Sequence, residues 1–337
     1  MSTQPQRTDM SLDTVGPRAQ RLPEAMNRIV RAACRAPSVH NSQPWFWRLG
    51  DDTVELLADR SRQLVVTDPT GRNLTMSCGA ALHHVQVAAA ALGYETRVDR
   101  LPDVDRPDLL ARVQFSPGSI PADAEVQLAA IADRCTDRRR FTSWPIPDER
   151  LEQLAGVARA QGAAVIPLTE VGTRIRAELL VNRALEIQRR EPEVAWELSD
   201  WVERADREGV PLGVIPDLNN VRGERPTRFD PDSTSASISI EGTDSLIVIA
   251  TAWDDPISWL QAGESLSALW LYATVTGLSV VPLSQVIEVE ETREALMRDV
   301  LGGLGVPQLL LRIGWQEIGR ATLPRTPRRR LDDVIVP

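Results

Sequence analysis

The stretch Arg35-Ala36-Pro37-Ser38-Val39-His40-Asn41-Ser42-Gln43-Pro44-Trp45 indicates the fold more clearly than the rest of the chain. It follows an amphipathic segment that predicts a helix from about residue 22 to residue 35. Pro37 ends this helix, because the residue before a proline disfavours helical backbone. The stretch itself is rich in short neutral side chains that donate and accept hydrogen bonds. Such groups suit the edge of a planar heterocycle, while the simpler interpretation is a polar loop anchored by Trp45.

Outward from this stretch, periodicity predicts a chain of mixed helices and strands. The apolar run SLIVIAT at 245–251 is typical of a buried strand. Residues 206–237 contain many glycines and prolines and predict a long irregular segment. The predicted helices are 79–92, 124–134, 145–160, 173–205 and 263–276. The predicted strands are 53–58, 63–66, two within 95–115, 245–251 and 309–314.

Two helical segments recur in the same order along the chain. An offset of 124 residues places Leu22-Pro23-Glu24 on Ile146-Pro147-Asp148. An offset of 184 residues places Gly79, Leu82, Ala89 and Gly93 on Gly263, Leu266, Ala273 and Gly277. One match between amphipathic helices is weak, but two in order favour a divergent internal duplication. The difference of 60 between the offsets predicts about sixty extra residues in the second copy, near 170–262.

Composition excludes several chemistries. All 38 basic residues are arginine, so a Schiff-base lysine and the lysine of a phosphate-binding P-loop are absent. The net charge of −9 argues against nucleic acid and anionic membranes as partners. Three scattered cysteines and the lack of a long apolar stretch predict a cytoplasmic protein that does not enter membranes. His83 and His84 are adjacent on a predicted helix and diverge by about 100°, so they predict packing or surface roles and no metal site.

The opening stretch resembles the first loop of the nitroreductase family of FMN-dependent oxidoreductases, which reads much like PS-x-x-N-x-QPW. In that family the loop wraps the flavin from one subunit of a dimer, and the other subunit supplies a basic segment similar to R-x-S-x-R. Arg134-Cys135-Thr136-Asp137-Arg138 resembles that segment, with Thr136 in the place of serine. The resemblance therefore implies FMN as the cofactor.

Further matches follow in the family's order. Pro282-Leu283-Ser284 resembles the backbone strip that faces the flavin ring, and Leu311-Arg312-Ile313-Gly314 resembles the late core strand. Arg328 and Arg329 resemble the C-terminal basic residues that meet the flavin phosphate. The wording RAPSVHNSQPW and the stretch DPTGR…CGAAL at 68–82 are similar to the Acg-like branch, in which two units are fused. The resemblance implies an α+β, nitroreductase-like fold, internally duplicated to form an intrachain pseudo-dimer.

The resemblance also implies the cofactor site, in which the flavin carries the chemistry and no catalytic side chain or metal is expected. The implied FMN-binding residues are Pro37, Ser38, His40, Asn41, Gln43, Arg134, Thr136, Arg138, Pro282, Leu283, Ser284, Arg328 and Arg329. Under the 124 offset, Pro37, Ser38 and Asn41 fall on Gln161, Gly162 and Val165, so the second copy lacks the ring-binding loop. Arg134, Thr136 and Arg138 fall on Met10, Leu12 and Thr14, so the first copy lacks the phosphate clamp. One FMN per chain is expected.

The expected organisation is a flexible leader at 1–20, a first half at 21–120 and a second half at 121–337. A lid is expected at about 196–237, where Trp196 and Trp201 could pack over the flavin. Two functions fit this arrangement: an NAD(P)H-dependent reductase of nitro or quinone-like compounds, and a protein that sequesters FMN with little turnover. NAD(P)H and a small electron acceptor are the expected partners, and the chain is expected to be a monomer.

Overall fold

The computed structural model describes residues 22–202, 204, 208–211, 245–317, 319, 323 and 325–337. The predicted leader at 1–20 and most of the predicted lid lie outside the described residues. None of the described helices is both long enough and apolar enough to cross a membrane.

The first half of the chain forms a four-stranded antiparallel sheet in the order β1-β2-β4-β3. Burial alternates along β2, as expected for a strand with one face on the core. A register shift interrupts the pairing of β2 with β4 between Leu56 and Leu57. The strands are β1 (Trp45–Leu49), β2 (Thr53–Ala58), β3 (Tyr94–Arg100) and β4 (Leu109–Pro117).

The second half forms a sheet with the same order, β5-β6-β8-β7, and again with antiparallel pairing. Every residue of the SLIVIAT strand is buried, because both faces of β6 are covered. A register shift occurs at the equivalent place, between Ile249 and Ala250. The shared order and the shared irregularity confirm an internally duplicated α+β fold. The strands are β5 (Ala164–Leu168), β6 (Ser245–Thr251), β7 (Leu278–Leu283) and β8 (Val306–Trp315).

The helices pack on and between the two sheets. Most predicted helices are present, but the predicted helix 173–205 is two helices, since Pro192 begins a new one. The helix predicted at 79–92 begins at Arg72, because the Asp68 carboxylate accepts the backbone N–H groups of Asn73 and Leu74 at 3.1 and 2.9 Å. The helices are α1 (Leu22–Ala33), α2 (Arg72–Ala91), α3 (Ala124–Asp133), α4 (Asp148–Arg159), α5 (Val171–Arg189), α6 (Pro192–Asp200), α7 (Pro256–Val275), α8 (Gln285–Glu288) and α9 (Glu290–Ala295).

The two copies meet where α2 crosses α7, and the crossing residues are related by the offset of 184. Gly79 and Gly263 let the two helix backbones touch: a Cβ at Gly263 would overlap the carbonyl oxygen of Met76. One turn further along, His83 Nδ1 lies 2.9 Å from Ser267 Oγ. These two residues are also related by the offset of 184, so a second pair of equivalent positions is in contact. The pseudo-two-fold axis of the duplication therefore passes between α2 and α7.

The offset of 124 for the first helix of each copy is wrong by one residue. Met26, Ile29, Val30 and Ala33 form the buried face of α1, and Leu151, Leu154, Ala155 and Ala158 form that of α4. These faces superimpose at an offset of 125. The connection that follows also differs between the copies: residues 34–44 precede β1, whereas only 160–163 precede β5. The second copy thus has no room for an equivalent of the polar loop.

Because His83 is buried at the helix crossing, we expect the stability of the fold to decrease in acid. Burial lowers the pKa of His83 to about 4 and holds that of His84 well below its usual value. Because the folded pKa lies below the unfolded one, stability is complete above pH 6.5 and is lost as the pH falls towards 4. The loss expected from His83 is about 2 kcal/mol at pH 5 and about 3 kcal/mol at pH 4. Urea unfolding of the wild type and of His83→Gln at pH 7 and pH 5 checks this; an equal loss in both proteins would contradict it.

The insertion of the second copy is anchored on the first copy. The Glu197 carboxylate on α6 accepts the backbone N–H groups of Val66 and Thr67 at 2.8 and 2.9 Å. Arg62 also pairs with Glu208 at 2.6 Å. The strand predicted at 63–66 is therefore wrong: Glu197 takes backbone donors there that a strand would use for pairing.

The C-terminal tail also crosses to the first sheet. Val334 is buried in the first core, its carbonyl accepts the N–H of Trp47 at 2.7 Å, and Val336 donates to the Trp47 carbonyl at 2.9 Å. The tail therefore extends the β1 edge of the first sheet. We propose that the halves divide near residue 120, with this tail exchanged onto the first half.

Candidate functional site

The polar loop after α1 has an unusual backbone. His40, Asn41 and Gln43 have φ angles of 48°, 55° and 50°, in the left-handed region that non-glycine residues rarely adopt. Such positions cost of order 1–3 kcal/mol each, so the surrounding contacts must hold them. Ser38 supplies one, since its Oγ accepts the N–H of Gln43 at 3.0 Å. Ser77 on α2 supplies another, since its Oγ accepts the N–H of Val39 at 3.1 Å.

This loop forms one wall of a cavity of about 880 Å³, which is large enough for a cofactor. The segment after α3, the end of β7 and the C-terminal tail form the other walls. The structure therefore brings together four segments that are far apart in the sequence. The predicted site residues that line the cavity are Pro37, Ser38, His40, Asn41, Arg134, Thr136, Arg138, Pro282, Leu283, Ser284, Arg328 and Arg329.

Gln43 is the predicted site residue that does not line the cavity. Its Oε1 accepts the backbone N–H of Arg329 at 2.8 Å, so it fixes the tail against the loop. The Arg329 guanidinium donates to the Gln43 and Asp333 carbonyls and pairs with Asp59 at 3.4 Å. These contacts occupy Arg329, although it lies at the wall. Arg328 is therefore the better candidate for an anion contact.

Arg134 and Arg328 are cations that have no carboxylate partner among the described residues. Both donate to the carbonyl of Arg35, at 3.4 and 3.3 Å, and Arg328 also donates to Asn41 Oδ1 at 2.9 Å. In the described part of the chain, neither guanidinium pairs with an acid, and the buried Nε of each donates no hydrogen bond. Burial lowers the pKa of Arg134 to about 10; burial and the charge of Arg134 lower that of Arg328 to about 9. A bound anion would relieve this cost.

The charge of the cavity contrasts with that of the chain. The chain carries −9, whereas the cavity wall contains nine arginines and two aspartates. Apolar side chains complete the wall, and Trp270 lies under Arg134, whose guanidinium carbon is 4.6 Å from the ring centroid. The cavity therefore combines an anion-binding surface with an apolar one. The main apolar side chains are Met76, Leu266, Trp270, Val281, Leu283 and Leu309.

Several wall residues were not predicted from the sequence. Met76, Ser77 and Trp270 reach the wall because α2 and α7 cross beside it, and no local motif marks them. The resemblance places Arg312 only in a core strand. It is buried, lies over Phe141 at 4.2 Å, and donates to the Arg138 and Arg139 carbonyls at 3.3 and 3.2 Å. A charged residue inside the apolar run LLLRIG is the signal that could have indicated this role.

The predicted lid contributes one described residue to the wall. Val210 is buried and lines the cavity, and the carbonyl of its neighbour Gly209 accepts a hydrogen bond from Asn41 Nδ2 at 2.9 Å. Trp201 is buried and Trp196 is 69% exposed, and neither lines the cavity. The suggestion that these tryptophans pack over a flavin therefore has no support in this structure.

No protein-family model matches the chain. Among curated proteins, the chain is 37% identical over 318 residues to "Putative NAD(P)H nitroreductase Rv3131" of Mycobacterium tuberculosis (strain H37Rv), covering 93% of this chain and 91% of that protein. It is 32% identical over 332 residues to "Putative NAD(P)H nitroreductase acg" of the same strain, covering 92% and 95%.

The similarity to solved structures is lower. The FMN and NADPH-dependent nitroreductase NfnB from Sphigopyxis sp. strain HMH superimposes with a TM-score of 0.37 at 18% identity, covering 62% of this chain and 97% of that chain. The NADPH:FMN oxidoreductase from Vibrio harveyi gives a TM-score of 0.36 at 12% identity, covering 60% and 74%. Both scores are below 0.5, so the family assignment depends on the sequence relatives. More than a third of the residues of this chain are identical to those of the Rv3131 protein, over nearly the whole length of both, so the chain belongs to the nitroreductase family.

Proposed function

We propose that the chain binds FMN in this cavity and acts as an NAD(P)H-dependent reductase of nitro or quinone-like compounds. The names of the two curated relatives described above support NAD(P)H as the electron donor and reduction as the reaction type. The observation that carries the proposal is the pair formed by Arg134 and Arg328, two cations without a carboxylate partner in the described chain, beside an apolar wall. The phosphate of FMN would meet the two arginines, and its flat ring would meet the apolar wall.

Each wall has a separate role in this proposal. Arg134 and Arg328, with Arg138, would hold the phosphate through charge-assisted hydrogen bonds. The loop around Asn41 and the backbone of Pro282-Leu283-Ser284 would face the ring and exclude water from it. When bound, FMN supplies hydride and electron transfer, so the chain needs no catalytic side chain of its own. The protein positions the ring and sets its electrostatic environment.

The reductase is tested by steady-state oxidation of NADPH and NADH with a nitroaromatic and a quinone acceptor, using protein that retains FMN. Acceptor-dependent turnover supports the proposal. A protein that holds FMN but gives no turnover with any of these pairs would contradict the reductase function and leave the cofactor assignment standing.

We expect one FMN per chain. The loop 34–44 has no counterpart of similar length in the second copy, where only residues 160–163 connect the helix to the strand. A second, symmetric site would therefore lack its ring-facing wall. Flavin released by heat and measured against protein should approach a ratio of one, and a ratio near two would contradict the single site.

FMN sequestration is the second candidate function. The contact of Gly209 with Asn41 and the position of Val210 in the wall favour it, because they place part of the insertion beside the cavity. Sequestration predicts that dithionite reduces bound FMN more slowly than free FMN and that NAD(P)H oxidation is negligible. Rapid reduction by both reagents would exclude it.

We propose that the chain is a monomer. The contacts that would join two subunits are made here between the two copies, across α2 and α7. Light scattering at low micromolar concentration should therefore give a mass near 37.3 kDa. A mass of twice this value would show that a further surface associates.

A further inference from the structure

A shallow groove of about 260 Å³ adjoins the cavity between α1 and α3. The apolar side chains of Ala32, Leu128 and Ile131 line it and are called its floor here, and three arginines also line it. Arg31 and Arg35 line both the groove and the main cavity, so the two lie side by side. A ligand that occupies the cavity could therefore extend into the groove.

The arginines of this groove form a stripe on one face of a helix. Arg28, Arg31 and Arg35 have the spacing i, i+3, i+7, which places them on the same side of α1 and its C-terminal extension over roughly 10 Å. All three are exposed. Within the described part of the chain, none of their guanidinium groups pairs with a carboxylate or donates a hydrogen bond. Most exposed arginines elsewhere have an acid beside them, such as Arg60 with Asp108 and Arg112 with Glu55.

The stripe adds positive charge beyond the arginines that would hold one flavin phosphate. The proposed phosphate contacts, Arg134, Arg138 and Arg328, lie in the cavity, whereas Arg28 lines only the groove. Unneutralised arginines in a chain of net charge −9 are the feature expected where a second anionic ligand binds. The apolar floor adds a surface on which a flat base can lie.

We propose that this groove binds the 2′-phosphoadenosine end of NADPH and makes the protein prefer NADPH to NADH. This inference rests on the proposed function, because it assumes that the nicotinamide end reaches the cavity. Arginine recognises the 2′-phosphate by bidentate, permanently charged contacts, and NADH has only a hydroxyl at that position. The base lies on the floor formed by Ala32, Leu128 and Ile131, and Arg28 and Arg31 contact the phosphate.

The test measures binding without electron transfer. Isothermal titration calorimetry of the full chain, with its FMN, compares 2′,5′-ADP with 5′-AMP at low and at physiological salt. We expect 2′,5′-ADP to bind at least tenfold more tightly, with the preference weakening as salt screens the exposed charges. The double variant Arg28→Gln/Arg31→Gln should lose at least fivefold in affinity for 2′,5′-ADP and less than twofold for 5′-AMP.

Arg97→Gln is the matched control, because Arg97 is an exposed arginine on β3 that lines neither cavity nor groove. It should bind both nucleotides as the wild type does. Equal affinity for the two nucleotides, or an unchanged affinity in the double variant, would overturn the proposal. The proposal would also be overturned if inorganic pyrophosphate bound to the groove as tightly as 2′,5′-ADP, because the groove would then be a general anion site.

The two hypotheses fail in different ways. Loss of the 2′,5′-ADP preference in a protein that retains FMN and oxidises nicotinamide would overturn the groove assignment alone. A protein that lacks FMN or turnover but shows the arginine-dependent preference would overturn the reductase and retain the nucleotide groove.

Discussion

Gly263→Ala is expected to lower the free energy of unfolding by about 3 kcal/mol. The new Cβ would overlap the carbonyl oxygen of Met76, which belongs to the backbone of the facing helix and cannot rotate away. The helices α2 and α7 must then separate, and the packing between the two copies loosens. Urea unfolding followed by circular dichroism measures the loss. Gly79→Ala should behave alike, because its Cβ would overlap the carbonyl oxygen of Leu260.

Gly156→Ala is the control for this substitution. Gly156 lies inside α4, is exposed, and has no atom within 4 Å of an added Cβ. Alanine there should stabilise the protein by about 0.5–1 kcal/mol, since it restricts the unfolded chain and favours the helix. If Gly263→Ala were as stable as Gly156→Ala, the close helix crossing would be wrong.

Arg134→Met is expected to weaken FMN binding by about tenfold to a hundredfold, the range for loss of one charge-assisted hydrogen bond. It should at the same time leave the FMN-free protein as stable as the wild type or more stable. The reason is that Arg134 is a buried cation without a carboxylate partner in the described chain, and methionine can still pack against Trp270. Fluorescence titration gives the affinity, and thermal unfolding of the FMN-free protein gives the stability.

Riboflavin is the control ligand for this variant because it lacks the phosphate. Its affinity should change less than twofold. A parallel loss for FMN and riboflavin, or a marked loss of stability without ligand, would show that Arg134 supports the fold and does not bind the phosphate.

The strands with the clearest patterns could be predicted from the sequence at their observed bounds. Half-buried and buried residues alternate along Thr53–Ala58, because one face of that strand packs on the core. Ser245–Thr251 is nearly all apolar, because both of its faces are buried. The helix predicted to begin at residue 79 begins seven residues earlier, because the carboxylate that caps it, Asp68, lies four residues before the helix. The strand predicted at 63–66 is wrong: Glu197, 131 residues after Val66, accepts the backbone N–H groups of Val66 and Thr67.

The candidate site divides in the same way. The resemblance to the nitroreductase family points to the loop around Asn41, the basic segment at Arg134 and the tail arginines, because each is a contiguous run that matches a family motif. Met76 and Trp270 could not be predicted from a local motif, since they reach the cavity wall only through the crossing of α2 and α7. The spacing of Gly79 and Gly263 was visible as a repeat, but its cause, contact between two backbones, appears only in the structure.

The helix crossing also bears on how the chain is made. Gly79 and Gly263 are 184 positions apart, and bringing such distant segments together costs roughly 5 kcal/mol of loop-closure entropy. Contacts of this range slow folding. At ribosomal speeds, the partner of α2 emerges about 10–40 s after α2 itself. Throughout that interval the surface of α2 around Gly79 lacks its partner helix, so the first copy exists for a time with an incomplete core.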